Sequence, residues 1–475
     1  MGSIFDKLLA RRRALTPAGE AGAAPDFDAL LAQGGRAYEK REFALALQLY
    51  EQAVAADPAR PEGYYKRANA RKDLGQLEEA LSDYDRAIER RPDYAYAYCN
   101  RGFIQHTLGR PSEALSSYDR AIELDPNDPL AHYNRALLLQ DLDRWEDALA
   151  GYERAIELNP GFADAQYNRG VNLLYQGDFA AGWLGYEWRW RNAERLGIGA
   201  ARQYAQPAWR GIEPLAGKRL LVYHEAGLGD TIQFCRYVSL AAARGATVIL
   251  EVQRPLLELL GSLDGVAQVI ASGSSPPPFD YHCPLLSLPL AFQTSVDTIP
   301  APRKYLHSDR DKVAQWRATL GERTQPRIGL VWSGNPNNPL DARRSIALAQ
   351  WEPLLPAGCQ YFALQTQIRP DDAVILDGSD RIFAYESRLE GFDNVAALCE
   401  CLDVVISVDT SIAHLSAALG LETWLLLAYA PDWRWLRGRT DSPWYPGMRL
   451  YQQKTPGDWH EVLTRVATDL QRLQP

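Results

Sequence analysis

Proline recurs every 34 residues, at Pro58, Pro92, Pro126 and Pro160, and three further columns keep step with it. Small residues stand at Ala46, Ala80, Ala114 and Ala148, and again at Ala53, Ala87, Ala121 and Ala155. An aromatic column runs Tyr50, Tyr84, Tyr118, Tyr152 and Tyr186. A fixed period of this length restricts the chain to one supersecondary unit stacked repeatedly on itself. The small residues let two helices touch, the aromatic fills the joint, and proline stops the second helix. Stacked helix pairs expose a grooved binding surface, so this part of the chain reads as a recognition device.

The phase of the proline gives units 27–60, 61–94, 95–128 and 129–162, with a degenerate capping unit at 163–196. A period of 34 with small, aromatic and proline positions is the tetratricopeptide signature, so 27–196 is predicted to be an all-α solenoid. The last unit keeps Asn168, Gly170, Gly177 and Tyr186, puts Gly182 in the small column, and adds Trp183, Trp188 and Trp190. These tryptophans suggest docking onto the next domain; filling the repeat core is the other reading, above all for Trp183.

One column is polar: Asn100, Asn134 and Asn168, with Lys66 in the preceding unit. Two residues beyond stand the small Ala68, Gly102, Ala136 and Gly170. Two helical steps rotate about 200°, which turns the asparagines away from the second helix and into the groove. An amide there both donates to and accepts from a peptide backbone. Solvated filler and contacts between adjacent repeats are the alternatives. The column resembles the asparagine ladder of O-linked N-acetylglucosamine transferases, which implies a polypeptide acceptor on Asn100, Asn134 and Asn168. The neighbouring Arg67, Arg101, Arg135 and Arg169 read as a charged face.

The 475 residues leave room for further domains beyond the repeats. A net charge of -9 argues against a general nucleic-acid binder. The six cysteines show no paired metal spacing, and Cys399-Glu-Cys401 has no second pair, so reduced thiols are expected. No apolar run approaches membrane-spanning length and no signal peptide opens the chain, which predicts a cytoplasmic protein without a transmembrane segment. Residues 1–26 are read as an N-terminal segment and linker. Ile4 to Arg13 is a short amphipathic stretch, and Thr16 to Asp26 is rich in Ala, Gly and Pro.

From Gly217 short apolar strands alternate with helices. Arg219 to His224, Thr247 to Val252, Arg327 to Trp332, Gln360 to Leu364, Val404 to Ser407 and Thr423 to Leu427 are predicted strands, and Thr231 to Ala243 a helix. Such alternation means parallel sheets in an open α/β arrangement. Ser272 to Pro302, dense in proline and serine, interrupts it, and a break between two sheets falls between about 300 and 326. Ligands bind where loops leave the carboxyl ends of such strands. Gly227-Leu-Gly229-Asp230 lacks the third glycine of a dinucleotide fingerprint, and Asp230 alone could cap a helix. Asp409-Thr410-Ser411-Ile-Ala-His414 follows a strand and opens a helix, an amino end that suits a diphosphate. The loop from Ser333-Gly334-Asn335 to Arg343-Arg344 could bring amides and two cations to the same anion.

In that order, these motifs resemble the heptosyltransferase-type glycosyltransferases, and the chain is similar to bacterial tetratricopeptide proteins carrying such a domain. Ala430-Pro-Asp-Trp-Arg-Trp435 and Ser442-Pro-Trp-Tyr-Pro446 are characteristic of that subgroup. The resemblance implies a twin-Rossmann (GT-B) enzyme with an N-terminal half at 197–310 and a nucleotide-sugar-binding half at 311–475. It implies inverting transfer that needs no metal and no cofactor beyond the nucleotide-sugar co-substrate. Asp230 would be the general base. Gly227, Gly229, Ser333, Gly334, Asn335, Arg343, Arg344, Gln365, Asp409, Thr410, Ser411 and His414 would bind the donor, the arginines replacing a heptosyltransferase lysine. Trp433, Trp435, Trp444 and Tyr445 either wall the donor pocket or, as aromatics this dense usually do, lie partly in the core. The expected activity is transfer of a sugar to a protein held by the repeats. A glycan or lipid-linked acceptor, with the repeats binding an assembly partner, is the second reading, and a non-catalytic scaffold the third.

Overall fold

A computed structural model describes residues 26–198, 201–338 and 341–473. The expected amphipathic segment Ile4 to Arg13 and all of the linker except Asp26 lie outside the described residues, as do Pro339 and Leu340 of the loop after Ser333. The chain forms two compact units that divide between Leu138 and Leu139.

The first unit consists of helix pairs: α1 (Phe27–Glu39) with α2 (Phe43–Ala56), α3 (Pro61–Asp73) with α4 (Leu77–Arg90), α5 (Ala95–Thr107) with α6 (Pro111–Leu124), then most of α7 (Pro129–Asp141). Ala46, Ala80 and Ala114 are buried with Tyr50, Tyr84 and Tyr118. A Cβ added at Gly102 would stand 2.8 Å from the Tyr118 ring, so the tyrosine occupies the space that the small residue leaves. Proline drives the residue before it out of the α region. Asp57 and Asp125, which end α2 and α6, accordingly sit at φ -144° and -137°.

The arginine column departs from a plain charged face: Arg101 and Arg135 bond one repeat to the next, and Arg67 bonds the two helices of its own repeat. Arg101 pairs with Asp85 at 3.0 Å and Arg135 with Asp119 at 2.6 Å, each acid lying on the second helix of the preceding repeat. Arg67 forks onto Asp83 at 2.6 and 2.8 Å, and both are buried.

The second unit starts with α8 (Trp145–Leu158), α9 (Ala163–Gln176) and α10 (Phe179–Tyr186) and continues into two parallel sheets. The first holds β1 (Arg219–Tyr223), β2 (Thr247–Val252), β3 (Val266–Ala271) and β4 (Tyr281–Pro284) in the order β3-β2-β1-β4. The second holds β5 (Arg327–Val331), β6 (Gln360–Ala363), β7 (Ile382–Ala384), β8 (Val404–Val408), β9 (Glu422–Leu427) and β10 (Met448–Gln452) in the order β10-β9-β8-β5-β6-β7. β1 pairs with β2 and β4, and β5 with β6 and β8, so each sheet is wound in both directions from its first strand. An all-α array followed by an α/β region is thus what forms.

Two local expectations differ. β4 lies inside the proline-rich stretch read as an interruption. The helix expected from Thr231 to Ala243 is broken into α11 (Leu228–Phe234) and α12 (Tyr237–Ala243). At the joint, buried Arg236 donates to the carbonyls of Gln233, Pro300 and Trp444 and to the Tyr305 hydroxyl. Trp183 meets both of its readings, packing on Phe179 and Tyr186 of its own repeat and reaching beyond it. Its Nε1 donates to Thr294 O at 3.0 Å, and its ring meets Trp433 edge-on at 5.3 Å. Trp188 and Trp190 are only half-buried.

Candidate functional site

The carboxyl ends of β1, β5, β6 and β8 contribute loops to one cleft of about 610 Å³. Its lining includes Gly227, Gly229, Asp230, Ser333, Gly334, Asn335, Arg344, Gln365, Asp409, Thr410, Ser411 and His414, residues that lie far apart in sequence.

From the first sheet, Gly227 starts α11 and its N–H donates to Asp230 Oδ2 at 2.8 Å. The acid therefore caps its own helix. Its other oxygen accepts from Arg434 Nη2. A carboxylate oxygen has two acceptor positions, so each still has one to offer. A Cβ at Gly229 would lie 2.9 Å from His414 Cδ2, and glycine is what lets α11 approach α13 (Ser411–Ala418) this closely.

From the second sheet, buried Gln365 holds the loop after β5. Its Nε2 donates to Ser333 O at 2.9 Å and its Oε1 accepts from Ser333 N at 3.3 Å. Gly334 N–H donates to Ser345 Oγ at 3.1 Å, and Asn335 Oδ1 accepts from Asn337 N at 3.0 Å. Arg344 enters the cleft with Nη1 donating to Asp409 O at 2.6 Å. Arg343 does not line the cleft. It forks onto Asp141 at 2.9 and 3.0 Å, because successive residues of the short helix Asp341–Arg344 point about 100° apart and only one of the two can face the anion site.

Thr410 starts α13 without capping it, and its Oγ1 lies 3.0 Å from Ser407 Oγ instead. Asp409 Oδ2 accepts from Trp435 Nε1 at 2.8 Å. Burial first, and the charge of Asp432 next, raise its pKa to about 6. His414 has Nδ1 2.9 Å from the Tyr445 hydroxyl and its ring stacked on Trp435. Burial, then the cations Arg434 and Arg236, hold it well below its ordinary range, so it is neutral.

Of the two readings for the aromatics, the core one is what the structure shows. Trp433, Trp435, Trp444 and Tyr445 are all buried in the core behind the cleft, where large rings bury the most apolar area. The residues between and beside them were missed: Asp432 and Arg434 line the cleft. An arginine set between two tryptophans, two residues after an acid, was the available signal. Among the described residues, no group of three or more His, Cys, Asp or Glu could hold a metal ion.

The asparagine column is drawn into contacts between repeats. Asn100 Nδ2 donates to Tyr65 Oη at 3.0 Å and Asn69 Oδ1 at 3.2 Å, and Asn134 Nδ2 lies 3.7 Å from Cys99 Sγ. The sixth repeat position thus faces the first helix of the preceding repeat more than an open groove. Asn168 is half-buried in the second unit. Exposed apolar side chains in the first unit include Tyr96, Phe103 and Leu130. Among the described residues, no helix is long and apolar enough to cross a membrane.

Residues 68–109 match a TPR repeat family model, and residues 95–128 and 129–162 each match the tetratricopeptide repeat model. Protein FlbA of Caulobacter vibrioides is 27% identical over 328 residues, 63% of this chain and 53% of that protein. The chain thus spans about half the length of the curated relative it matches. Similar solved structures include YrrB, a TPR protein with an unusual peptide-binding site, at 22% identity and a TM-score of 0.30, covering 39% of this chain and 90% of that one. PilW, a type IV pilus biogenesis factor, is 20% identical with a TM-score of 0.33, covering 37% and 88%. Residues 68–162 are tetratricopeptide repeats, helix pairs suited to binding other proteins.

Proposed function

We propose that the chain is a glycosyltransferase of the GT-B type, moving a sugar from a nucleotide-sugar donor to a polypeptide recruited by its repeats. The observation that carries this reading is the convergence of the Gly227–Asp230, Ser333–Asn335, Arg344 and Asp409–His414 segments on one cleft at the carboxyl ends of parallel strands. These are the segments on which the family resemblance rests.

In the proposed reaction an acceptor hydroxyl oxygen attacks the anomeric carbon from the face opposite the diphosphate. The new C–O bond forms as the bond to the leaving diphosphate oxygen breaks, which inverts the centre. The hydroxyl proton passes to a lone pair of Asp230. Arg344 and the N–H groups at the start of α13 stabilise the charge that builds on the diphosphate. Neutral His414 donates or accepts one hydrogen bond there and adds no charge. Tyr96, Phe103 and Leu130 offer the repeats an apolar grip on the acceptor.

The test is a panel of nucleotide sugars added to the full chain, with release of nucleoside diphosphate and thermal stabilisation as readouts. Silence across the panel would favour a protein-binding scaffold.

A further inference from the structure

Three consecutive side chains of the turn Trp433–Trp435 leave in three directions. Trp433 goes to the fifth repeat, meeting Trp183 edge-on at 5.3 Å and Tyr186 at 5.8 Å. Arg434 goes to the cleft. Trp435 goes to the second sheet's site, donating to Asp409 and stacking on His414.

We propose that Arg434 is a positioning residue for Asp230, and that the fifth repeat keeps Arg434 in place by gripping Trp433. Each nitrogen of the guanidinium has its own acceptor: Nη2 on Asp230 Oδ1, Nη1 on Asp432 Oδ1 at 2.8 Å, and Nε on Gln233 Oε1 at 2.8 Å. A planar fork with three fixed acceptors has no freedom left to swing. Its backbone N–H also donates to Asp432 Oδ1 at 3.0 Å, which closes the turn. Arg434 is only 8% exposed, and its guanidinium lies 4.6 Å from the centre of the Trp433 ring.

The consequence falls on Asp230. Gly227 N–H fixes one carboxylate oxygen from within the same loop, and Arg434 fixes the other from the opposite sheet's side of the cleft. Two donors on two oxygens set the plane of the carboxylate and the direction of its remaining lone pairs. A base must lie within hydrogen-bond reach of the proton it takes, and a misplacement of about 1 Å costs about 10²-fold in rate. Trp183 is itself held by Thr294 O, so the grip on Trp433 rests on a side chain that cannot drift. The kinetic arm of this inference rests on the transferase reading; its structural arm does not.

The experiment compares the full chain with Arg434→Ala, Arg434→Lys, Trp433→Leu and Trp433→Phe. Backbone amide exchange is followed in the segment holding Gly227 and Thr231, whose N–H groups bond to Asp230 Oδ2 and to Gly227 O. The β6 segment serves as a folding control. Exchange of the Gly227 segment should rise about tenfold or more in Arg434→Ala and Trp433→Leu, less in Arg434→Lys, and stay near wild type in Trp433→Phe. With an active donor, Arg434→Ala should lose about 10²-fold in kcat with donor KM nearly unchanged, and millimolar guanidinium should restore it. Unchanged exchange in Arg434→Ala would overturn the proposal, as would parallel losses in kcat and KM without guanidinium rescue. If the wild-type chain turns over no donor, the transferase reading falls and exchange alone decides the positioning claim. If a variant also loses protection in β6, Arg434→Lys and Trp433→Phe decide it.

Discussion

The indole Nε1 of Trp435 donates to Asp409 Oδ2 at 2.8 Å, inside a site that raises the Asp409 carboxyl to about 6. Burial is the larger cause and the charge of Asp432 the next. The unfolded value is about 3.9, so the folded chain holds more protons at this group between the two values. Its favourable contribution to stability is complete below about 4 and is lost as pH rises through about 6. Asp409→Asn keeps an acceptor for the indole and removes the titration. The melting temperature of the variant should therefore gain on wild type between pH 4 and pH 7, in parallel thermal melts.

Arg344 and Arg343 should behave differently towards an anion despite being neighbours. Arg344 faces the cleft, whereas Arg343 is committed to Asp141. Arg344→Ala removes a charge-assisted contact worth about 1.5–3 kcal/mol, so nucleoside diphosphate should bind roughly 10- to 100-fold more weakly by calorimetry. Arg343→Ala should leave that affinity nearly unchanged. Equal losses in the two variants would mean that Arg343 leaves Asp141 for the ligand.

Gly334 is sterically required by Arg344. An added Cβ would lie 2.5 Å from Arg344 Nη2 and against Asp341 Oδ1. Gly334→Ala should push the guanidinium out of the cleft and weaken diphosphate binding as Arg344→Ala does, with little change in melting temperature. Wild-type affinity in this variant would show that the arginine is not needed where it stands.

Periodicity made the repeats legible, because the 34-residue columns are direct consequences of helix packing. Ala46, Tyr50 and Pro58 each report one contact or one chain break. The strands with continuous apolar runs, such as β2 and β8, were legible for the same reason. β4, four residues long and ending in Pro284, carries too little pattern to be read locally; its pairing with β1 creates it. Asp230 and Asp409, singled out by the family resemblance in loops that follow strands, both line the cleft. Arg434 was missed because its importance comes from contacts with Asp230 and Gln233, about 200 residues away in sequence. Asn100 meets Tyr65 and Asn69 of the preceding repeat, one of the alternatives open for its column, and Arg67 pairs with Asp83 of its own repeat, because a helical face does not say which neighbour covers it.

The Arg67–Asp83 pair ties together two helices of the first unit. Both side chains are buried, and Arg71 reaches the same carboxylate at 2.8 Å. Asp83→Ala leaves the buried Arg67 charge without its partner and should cost about 3–5 kcal/mol by denaturant unfolding. Diphosphate affinity in the second unit should not change. A loss below about 1 kcal/mol would show that water reaches Arg67.

In the proposed function the cleft holds a nucleotide sugar and Asp230 takes the acceptor proton. The most direct measurement is nucleoside diphosphate release by the full chain across a donor panel, in wild type and in Asp230→Asn, alongside donor-dependent thermal stabilisation. One donor should stabilise both proteins by about 2.7 kcal/mol at a hundred times its Kd. With that donor, Asp230→Asn should release diphosphate about 10²–10⁴-fold more slowly. No stabilisation by any donor, or equal release by the two proteins, would contradict that function.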